Sequence, residues 1–469
     1  MGKDKKPLLI ENVTITDAGA KGKSIAHAPD GRVIFVDNAV PEDIVDILVT
    51  KKKKAFYEGT AVKFHQKSPL RVVPVCEHFT YCGGCQWQHM NYQSQLHYKQ
   101  KEVENNLKRL GGVIPEEILP IVGCNKPYFY RNKIEFSFSE TRWLTPEEIT
   151  SKEEIADRQG LGFHIAGAWD KVLDIRKCHL QEDPSNAIRN KIREYALSHD
   201  YSFYNPRSHS GWLRTMMIRI SSIGEIMLVI QFLEERKEPR EQLLNYLLSE
   251  FPTLTSLQYI INNKPNDTIY DQEVICYHGR DFIYEEMEGL RFKINAKSFF
   301  QTNSTQAYEL YKVVRDFAAL TGEELVYDLY TGTGTIAQFV AKKAKKVIGV
   351  EAVPEAIADA KENAQNNQIS NVDFFVGDMK NVFNEEFITT HGLPDVIITD
   401  PPRDGMHKDV VAQILRIAPK RVVYVSCNSA TQARDLALLQ EKYKVVRICP
   451  VDMFPQTYHI ENIALLEAK

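Results

Sequence analysis

The N-terminal pattern of apolar and polar positions is one of short, frequently interrupted runs. Residues 8–68 contain "LLIENVTITDAG", "GRVIFVDNA" and "DIVDILVT", which alternate or are rich in β-branched residues and are separated by Gly, Asp, Asn and Pro. Runs of this kind predict short strands joined by turns. So many short strands in a small region indicate a β-barrel of the oligonucleotide-binding kind. We predict that this domain covers residues 1–71.

The next part of the chain mixes helical and strand patterns. The segment "YQSQLHYKQKEVENNLKRLGG" (92–112) has helical spacing and ends at a pair of glycines, which predicts a helix with a glycine stop. The runs "YRNKIEFSFS", "WLRTMMIRIS", "EIMLVIQFL" and "SLQYIINN" have the composition of strands. Together they predict an α+β domain over residues 72–285.

From about residue 286, apolar strand runs alternate regularly with helical segments. The runs are "ELVYDLY", "KVIGVE", "VDFFVGD", "PDVIITD" and "RVVYVSC". This alternation predicts a doubly wound, Rossmann-like α/β domain over residues 286–469. Ligands of such domains bind beyond the carboxyl ends of the strands, so the residues that follow each run are the candidates for chemistry.

Composition and charge narrow the class of protein. The 469 residues are 43% apolar and 26% charged, with a formal net charge of −4. No apolar run approaches 18 residues and there is no signal peptide, so we expect a cytoplasmic protein without a membrane segment. Nucleic-acid binding by a chain that is not basic must depend on local patches. The four lysines at 51–54, with Lys63, Lys67 and Arg71 beyond, form either a solvated turn or, in our interpretation, a contact with an RNA backbone.

A Gly-x-Gly loop follows the first strand run of the α/β domain. Gly332 and Gly334 let the backbone turn sharply and approach a ligand. Glu351, at the end of the second run, can accept hydrogen bonds from ribose hydroxyls, and Asp378 ends the third. The loop lacks the third glycine or the Gly-Lys-Ser/Thr of phosphate sites. It therefore favours S-adenosylmethionine, which carries no phosphate, with a dinucleotide site or a vestigial site as the alternatives.

The fourth run ends in the sequence Asp-Pro-Pro-Arg, from Asp400 to Arg403. Many methyltransferases that act on exocyclic amines have an aromatic residue after Pro-Pro, which stacks on the base. Arg403 in that position predicts a different chemistry. The alternative is that this segment is only a turn that ends a strand.

The fifth run ends at a thiol, in "YVSCNSATQARDL". Carbon 5 of uracil is a poor nucleophile, but a thiolate that adds to carbon 6 turns carbon 5 into an enolate carbon that can attack a methyl group. A base must then remove the hydrogen from carbon 5. Glu461 begins an apolar run near the C-terminus, where burial would raise the pKa of its carboxyl. Taken singly, Cys427 could be a small core residue and Glu461 a surface residue.

Five segments together resemble the RNA uracil-C5 methyltransferase family. They are "DLYTGTGTIA", "VEAVPEAI", "DPPRDGM", "YVSCNSATQARDL" and "DMFPQTYHIE", and "FFQTN" (299–303) resembles the family's F-x-Q-x-N segment. The resemblance covers nearly the whole chain, and it identifies the N-terminal barrel with the family's TRAM domain. It implies that Cys427 is the nucleophile and Glu461 the base, and that the residues binding S-adenosylmethionine are Gln301, Tyr330, Glu351 and Asp400, with Asp378 a weaker match.

Three other cysteines, Cys76, Cys82 and Cys85, are spaced C-x5-C-x2-C. A structural zinc site usually pairs two C-x2-C units, and only one is visible. Cys178, in "DIRKCHLQ", offers a fourth thiolate, and four thiolates suit a 4Fe–4S cluster. The spacing and the context of Cys178 resemble cluster-binding members of the family. We therefore expect a 4Fe–4S cluster with a structural or RNA-positioning role, with zinc as the alternative.

The expected reaction is methylation of carbon 5 of a uridine in RNA. Resemblance to family members that have both a TRAM domain and a cluster implies large-subunit (23S) ribosomal RNA as the substrate, with transfer RNA as the alternative. We expect a monomer that flips the uridine out of its stack. Two other hypotheses are a non-catalytic RNA-binding protein with a methyltransferase fold and a cytosine-C5 methyltransferase, although the chain matches no motif of the latter.

Overall fold

A computed structural model describes residues 8–151, 155 and 157–469. Residues 1–7 of the predicted N-terminal domain, and residues 152–154 and 156 of the predicted central domain, lie outside the described part. None of the described helices is both long enough and apolar enough to cross a bilayer.

The N-terminal part forms a curled sheet of strands β1 (Leu9–Thr14), β2 (Asp17–Ala18), β3 (Ser24–His27), β4 (Val33–Asp37), β5 (Ile44–Lys52) and β6 (Phe56–Gln66), with a 3-10 turn at Ala20–Gly22 between β2 and β3. The strand order is β1-β5-β6-β4-β3-β2. Alternate residues of the strands pack inward on a small apolar core. This sheet confirms the predicted β domain. Arg71, one of the basic residues expected to contact RNA, instead pairs with the buried Asp43 at 2.6 Å.

The central part contains α1 (Tyr92–Leu110), β7 (Glu117–Ile118), β8 (Lys133–Ser139), α2 (Pro146–Ser151), β9 (Gly160–Ile165), β10 (Ala168–Asp174), α3 (Ser185–Ser198), β11 (Leu213–Ile220), β12 (Ile226–Phe232), α4 (Lys237–Glu250), β13 (Ser256–Ile261) and β14 (Ile275–Gly279). Seven strands form one sheet in the order β10-β9-β8-β11-β12-β13-β14. A hairpin of β15 (Phe282–Met287) and β16 (Leu290–Asn295) follows. The mixture of helices and strands agrees with the predicted α+β pattern.

The C-terminal part contains α5 (Ser304–Ala318), β17 (Leu325–Leu329), α6 (Thr335–Ala341), β18 (Lys346–Glu351), α7 (Pro354–Asn366), β19 (Val372–Val376), α8 (Met379–Val382), α9 (Glu385–His391), β20 (Val396–Thr399), α10 (Lys408–Ile417), β21 (Arg421–Ser426), α11 (Ser429–Leu439), β22 (Tyr443–Val451) and β23 (Glu461–Ala468). The sheet order is β19-β18-β17-β20-β21-β23-β22-β7. Strands β17 to β21 are parallel, and β23 runs antiparallel to β21. The five apolar runs predicted from the sequence are these five parallel strands, which confirms the Rossmann-like fold.

The central part is built into the C-terminal sheet. Strand β7 pairs with β22 at the sheet edge. Helix α1 ends at Gly111, where an added Cβ atom would lie 2.5 Å from the carbonyl oxygen of Ala433 in α11. A backbone approach that close requires glycine at this helix end. The predicted helix at 92–112 therefore packs on the α/β domain.

Candidate active site

The candidate site lies where the parallel strands end. Strand β17 is central, with β18 on one side and β20 on the other, and β21 follows β20. The loops after these four strands carry the Gly-x-Gly segment, Glu351, Asp400 and Cys427. Because all four strands point the same way, their carboxyl ends bring residues that are up to 95 positions apart in sequence to one edge of the sheet.

The Gly-x-Gly loop forms a cradle with two different glycines. Gly332 has a φ of 55°, and nothing lies within 4 Å of the position that a Cβ atom would take there, so this backbone faces open space. Gly334 has a φ of 74°, and an added Cβ would lie 2.6 Å from the ring of Phe374. The first glycine leaves room for a ligand against the backbone, whereas the second lets α6 pack closely on the sheet.

Glu351 is tied to this cradle. One of its carboxylate oxygens accepts a hydrogen bond from the backbone N–H of Gly332 at 3.1 Å. The other accepts from the N–H groups of Ala352 and Val353 at 2.7 and 3.1 Å. These bonds fix the carboxylate beside the open face of the loop, in the position where an acidic residue receives ribose hydroxyls in nucleotide-binding folds.

Two aspartates lie side by side beneath the loop. Asp328 is buried, and burial raises the pKa of its carboxyl to about 7. The hydroxyl of Thr331 and the backbone N–H of Ala337 oppose this shift. The pKa of Asp400 is also raised to about 7, first by burial and then by the charge of Asp328. One oxygen of Asp328 is buried without a partner among the described residues. A buried polar atom of this kind is expected to face a polar ligand or water.

The register of the sheet sets the thiol against the carboxyl. Strands β21 and β23 are antiparallel, with Ser426 opposite Asn462. Continued by one residue, this register places Cys427 opposite Glu461. Two residues that the sequence separates by 34 positions are therefore neighbours across adjacent strand ends.

The thiol of Cys427 is half-buried among charged groups. Burial raises its pKa to about 11, and the carboxyls of Glu461 and Asp400 add to the shift, whereas the guanidinium of Arg403 lowers it. Arg403 also hydrogen-bonds Nδ1 of His459 at 2.8 Å. The side chain of Asn428 donates to the carbonyl oxygen of Arg403 at 3.0 Å, which joins the loop after β20 to the loop after β21.

Glu461 has the environment of a general base. Only 6% of the residue is exposed. Burial raises the pKa of its carboxyl well above the usual value, and the nearby carboxyl of Asp400 raises it further, while Arg403 opposes the shift. Two carboxyls this close do not ionise together easily, and the one that is ionised is a stronger base than an exposed carboxylate.

The segment 299–303 precedes α5 and contacts both the start of the central sheet and the loop before Glu461. The side chain of Asn303 caps α5 and donates to the carbonyl of Met453 at 3.0 Å. The carbonyl of Gln301 accepts from the side chain of Asn132 at 2.8 Å. Gln301 is half-buried and is held between the central sheet and the loop that leads to Glu461.

The loop of residues 452–460, which precedes Glu461, is anchored by buried polar groups of α1. Lys99 donates to Asp452 at 2.6 Å and to the carbonyl of Phe454 at 3.1 Å, and both charged side chains have no exposed surface. Gln95 and Gln456 exchange two hydrogen bonds of 2.9 and 3.0 Å. The position of the candidate base therefore depends on a helix more than 300 residues away in sequence.

Tyr330 and Asp378 were also predicted to bind the cofactor. Tyr330 directly follows β17 with a φ of 64°, is half-buried, and has a pKa raised to about 12 by burial. Asp378 caps α8 by accepting from the N–H of Lys380 at 3.2 Å, and its side chain is 51% exposed. Asp378 thus has a structural role already, whereas the ring of Tyr330 packs against an apolar cluster of the α/β domain.

The four cysteines predicted to bind metal line one cavity of about 360 Å³: Cys76, Cys82, Cys85 and Cys178. Burial raises the pKa of the Cys82 and Cys85 thiols to about 12, and the neighbouring thiols add to both shifts. In the described ranges, no group of three or more His, Cys, Asp or Glu side chains is arranged to hold a metal ion. The four thiols converge on a common space without forming a compact ligand set for one ion.

The same cavity lies beside a buried cation. Arg189 is 1% exposed; its terminal nitrogens donate to the side chains of Asn186 and Asn190 and to the carbonyl of Arg176, whereas its Nε atom has no partner among the described residues. Burial lowers the pKa of its guanidinium to about 10, while the nearby Cys178 opposes that shift. A buried cation favours an anionic group next to it. Four thiols around a space larger than a single ion requires are the donor set that a 4Fe–4S cluster uses.

The structure adds two residues to which the sequence assigned no role. Arg403 was noted only as a departure from an aromatic pattern, and His459 was not considered. Arg403 lies at the thiol, and His459 contacts Arg403. Their position next to Asp400 and Glu461 in sequence is the signal that could have identified them.

Comparison with known proteins gives matches to both ends of the chain. The family model described as tRNA (Uracil-5-)-methyltransferase matches residues 266–469, and the TRAM domain model matches residues 10–62. A protein of Bacteroides thetaiotaomicron named as an uncharacterized RNA methyltransferase is 57% identical over 96% of this chain and 100% of its own length. A protein of Chlorobaculum tepidum, also named as an uncharacterized RNA methyltransferase, is 37% identical over 98% of this chain and 96% of its own length.

A solved structure also matches over nearly the full length. It is the Pyrococcus abyssi tRNA (uracil-54, C5)-methyltransferase in complex with S-adenosyl-L-homocysteine. That structure is 28% identical, covers 97% of this chain and 100% of its own, and superimposes with a TM-score of 0.74. The match therefore extends from the N-terminal sheet through the central part to the α/β domain.

Proposed function

The chain belongs to the family of S-adenosylmethionine-dependent RNA uracil-C5 methyltransferases, and from that premise we propose that Cys427 and Glu461 carry out the reaction by covalent catalysis. The observation that carries this proposal is the register of β21 and β23, which sets the thiol opposite a buried carboxyl. Each of the two residues has the chemistry that one half of the reaction needs.

We propose that the open side of the Gly-x-Gly loop receives S-adenosylmethionine, which supplies an electrophilic methyl group. The cradle at Gly332 leaves room for the ligand, and Glu351 is fixed beside it. We propose that Gln301, Tyr330 and Asp400 contact the same ligand, with Asp378 as a further candidate. Asp328, with an unpartnered buried oxygen, is an additional candidate.

Cys427 is proposed to form the covalent bond that activates the uracil ring. After the thiol has released its proton to solvent, the sulfur bonds to carbon 6 of the uracil, and the electron pair of the carbon 5–carbon 6 double bond moves to carbon 5. Carbon 5 then bonds to the methyl group, which leaves its former sulfur as a neutral thioether. Arg403, which lowers the pKa of the thiol, favours the sulfur anion at the start and again when it is released.

Glu461 is proposed to complete the exchange at carbon 5. It takes the hydrogen of carbon 5 as a proton, and the electron pair left behind re-forms the double bond. The bond between carbon 6 and the sulfur of Cys427 breaks, and the sulfur leaves with its electrons. Burial of Glu461 makes its carboxylate a stronger base than an exposed one.

The variant Glu461→Gln tests the assignment of the base. Glutamine keeps the size of the side chain but cannot take the proton, so the reaction should stop with the enzyme bonded to methylated RNA. A denaturing gel with labelled RNA and S-adenosylmethionine should show a slowly migrating adduct. Rapid release of methylated RNA by this variant would mean that another group is the base.

The variant Cys427→Ala is the matched control for the covalent step. It should form no adduct and no product, yet bind S-adenosylmethionine with nearly unchanged affinity, since the proposed cofactor contacts lie elsewhere. RNA containing 5-fluorouridine should trap the wild-type enzyme, because fluorine cannot leave carbon 5 as a cation. Turnover by Cys427→Ala would refute the covalent mechanism.

We propose large-subunit ribosomal RNA as the substrate, because the chain resembles family members that have both a TRAM domain and a cluster, and that resemblance implies a ribosomal RNA substrate. Transfer RNA is the second candidate, and it is favoured by the full-length match to the archaeal tRNA (uracil-54, C5)-methyltransferase. Mapping 5-methyluridine in ribosomal and transfer RNA from a deletion strain distinguishes them. A lost modification identifies the substrate.

The monomeric state and the cytoplasmic location stay predictions from the sequence.

We also propose that Cys76, Cys82, Cys85 and Cys178 hold a 4Fe–4S cluster that serves structure or RNA positioning. The cavity that they share and the buried Arg189 beside it support this. Such a cluster can carry an electron when bound, but the methyl transfer needs none.

Anaerobically purified protein should be brown with about four irons per chain. Cys178→Ser should lose this iron. Cys124→Ser, which changes a buried cysteine outside the cavity, should keep it. The reverse result would mean that Cys178 is not the fourth ligand. One zinc in place of iron would favour the alternative metal.

A further inference from the structure

A second cavity, of about 420 Å³, lies between the open face of the central sheet and the segment that contains Gln301. Its floor is formed by β8, β11 and β12, and one wall by residues 296–302. The volume is in the range of pockets that bind small molecules. It shares the segment 299–302 with the proposed methyl-transfer site but contains none of the catalytic residues.

The deepest charged group of this cavity is Arg219 on β11. It is 4% exposed, and its guanidinium donates to the carbonyl of Ser298 at 2.6 Å. Its Nε atom is buried without a partner in the part of the chain that the structure describes. The two nearest acids are engaged elsewhere, since Glu135 pairs with Lys133 and Glu285 accepts from Ser222 and Ser304. A buried guanidinium with unused donors is suited to a ligand with strong acceptors.

The rim of the cavity is aromatic. Tyr270 is 72% exposed and Phe299 is 68% exposed, and both line the opening. Large aromatic side chains that remain in water on either side of a polar pocket are unusual for a core and typical of surfaces that stack nucleobases. The side chains of Thr215 and Gln231 add hydroxyl and amide groups to the floor.

We propose that this cavity binds the base of a second extruded nucleotide of the RNA, a guanine, next to the uridine that is methylated. Guanine presents two acceptors, O6 and N7, on one edge, which matches the forked donors of an arginine. Tyr270 provides the stacking surface. The proposal rests on the proposed function, because it takes single-stranded RNA as the ligand.

The cavity is tested by direct binding of nucleosides to the full-length protein, with S-adenosylhomocysteine present to fill the cofactor site. Saturation-transfer NMR and calorimetry with guanosine and uridine should show guanosine binding roughly 5- to 150-fold tighter, the discrimination expected of a bidentate arginine contact. Tyr270→Ala should weaken guanosine binding at least fivefold. Trp169→Ala, which removes an aromatic residue of 64% exposure from another part of the same sheet, should not.

Arg219 is buried, so its variants are checked for an unchanged melting temperature first. Arg219→Lys keeps the charge but lacks the fork, and it should bind guanosine and uridine equally. Equal binding of both nucleosides by the wild type, or guanosine binding unaffected by Tyr270→Ala, would overturn the proposal. Displacement of guanosine by inorganic phosphate at similar concentration would also overturn it, because the cavity would then be an anion site.

RNA methylation provides an independent readout. With RNA as substrate, Tyr270→Ala should raise KM and leave kcat unchanged, because the residue is outside the methyl-transfer site. If the chain bound guanosine as described but methylated no RNA, the proposed function would fail while the nucleoside site would stand. If it methylated RNA with Tyr270→Ala unchanged in KM, only the second site would fail.

Discussion

The buried pair of Lys99 and Asp452 is expected to determine the stability of the loop that carries the candidate base. Replacing Lys99 with methionine keeps the apolar stem of the side chain but removes its charge. Asp452 then remains buried with hydrogen bonds from the hydroxyl of Tyr92 at 2.8 Å and the N–H of Phe454 at 3.1 Å, but without a cation. The perturbation tests whether residues 452–460 are held chiefly by this ion pair.

The magnitude follows from the contacts that are lost. Lys99 makes two charge-assisted hydrogen bonds, to Asp452 and to the carbonyl of Phe454. Each such bond contributes about 1.5–3 kcal/mol, and breaking a buried ion pair by removing one partner costs about 3–5 kcal/mol. We therefore expect Lys99→Met to reduce the free energy of local opening by about 3–5 kcal/mol.

Hydrogen-exchange mass spectrometry measures this opening directly. Peptides covering residues 452–460 should exchange roughly 100- to 5,000-fold faster in Lys99→Met than in the wild type, since every 1.4 kcal/mol is tenfold. The matched control is Lys101→Met on the same helix, which breaks a pair with Asp17 of 2.8 Å whose lysine is 41% exposed. That variant should change exchange by no more than about fivefold, because exposed ion pairs contribute about 0–1 kcal/mol.

A double variant separates the two sources of the loss. Lys99→Met combined with Asp452→Asn removes both charges, so most of the protection of residues 452–460 should return. Exchange that rises less than about fivefold in Lys99→Met would refute the reasoning, because the loop would then be held by its other contacts, such as the Gln95–Gln456 pair. A double variant less protected than Lys99→Met would mean that the loss is one of packing and not of charge.

Two further predictions concern titrating groups of the site. Burial raises the pKa of Cys427 to about 11, so the rate of its alkylation by iodoacetamide should rise about tenfold per pH unit between pH 7 and 9. The background from other cysteines is measured in Cys427→Ser and subtracted. The rate at pH 8 should be lower in Arg403→Ala, and a plateau of the wild-type rate below pH 8 would contradict the prediction. The pKa of Asp328 is raised from 3.8 to about 7, so the folded state binds more protons than the unfolded state between these values, and stability falls as pH rises through that window. Asp328→Asn should therefore have the same melting temperature as the wild type at pH 4. At pH 8 its free energy of unfolding should be higher than that of the wild type, by at most about 4 kcal/mol. Equal melting temperatures at pH 8 would show that the ionised carboxyl of Asp328 does not destabilise the folded protein.

The sequence by itself predicted the succession of fold types along the chain and the residues that are candidates for chemistry. Strands that are buried on both faces are apolar throughout, so the five runs of the α/β domain were visible as continuous stretches, and each ends at or just before a residue that we considered as a candidate for chemistry. The Gly-x-Gly loop was recognisable because its backbone conformation requires glycine. Cys427 and Glu461 were identified by the chemistry of uracil and by resemblance, without knowledge of their distance.

Only the tertiary structure decided which of these residues meet, and which neighbours control them. The pairing of β21 with β23 sets Cys427 opposite Glu461, and strand register is a property of two segments that no local pattern contains. In the same way, Arg71 was predicted to contact RNA but is occupied by Asp43, which lies 28 residues earlier. The charge of a side chain is visible in the sequence, whereas its partner depends on the fold. The buried pair of Lys99 and Asp452, separated by 353 residues, is the clearest case, because a lysine in a helix is expected to face water until a distant carboxylate is packed against it.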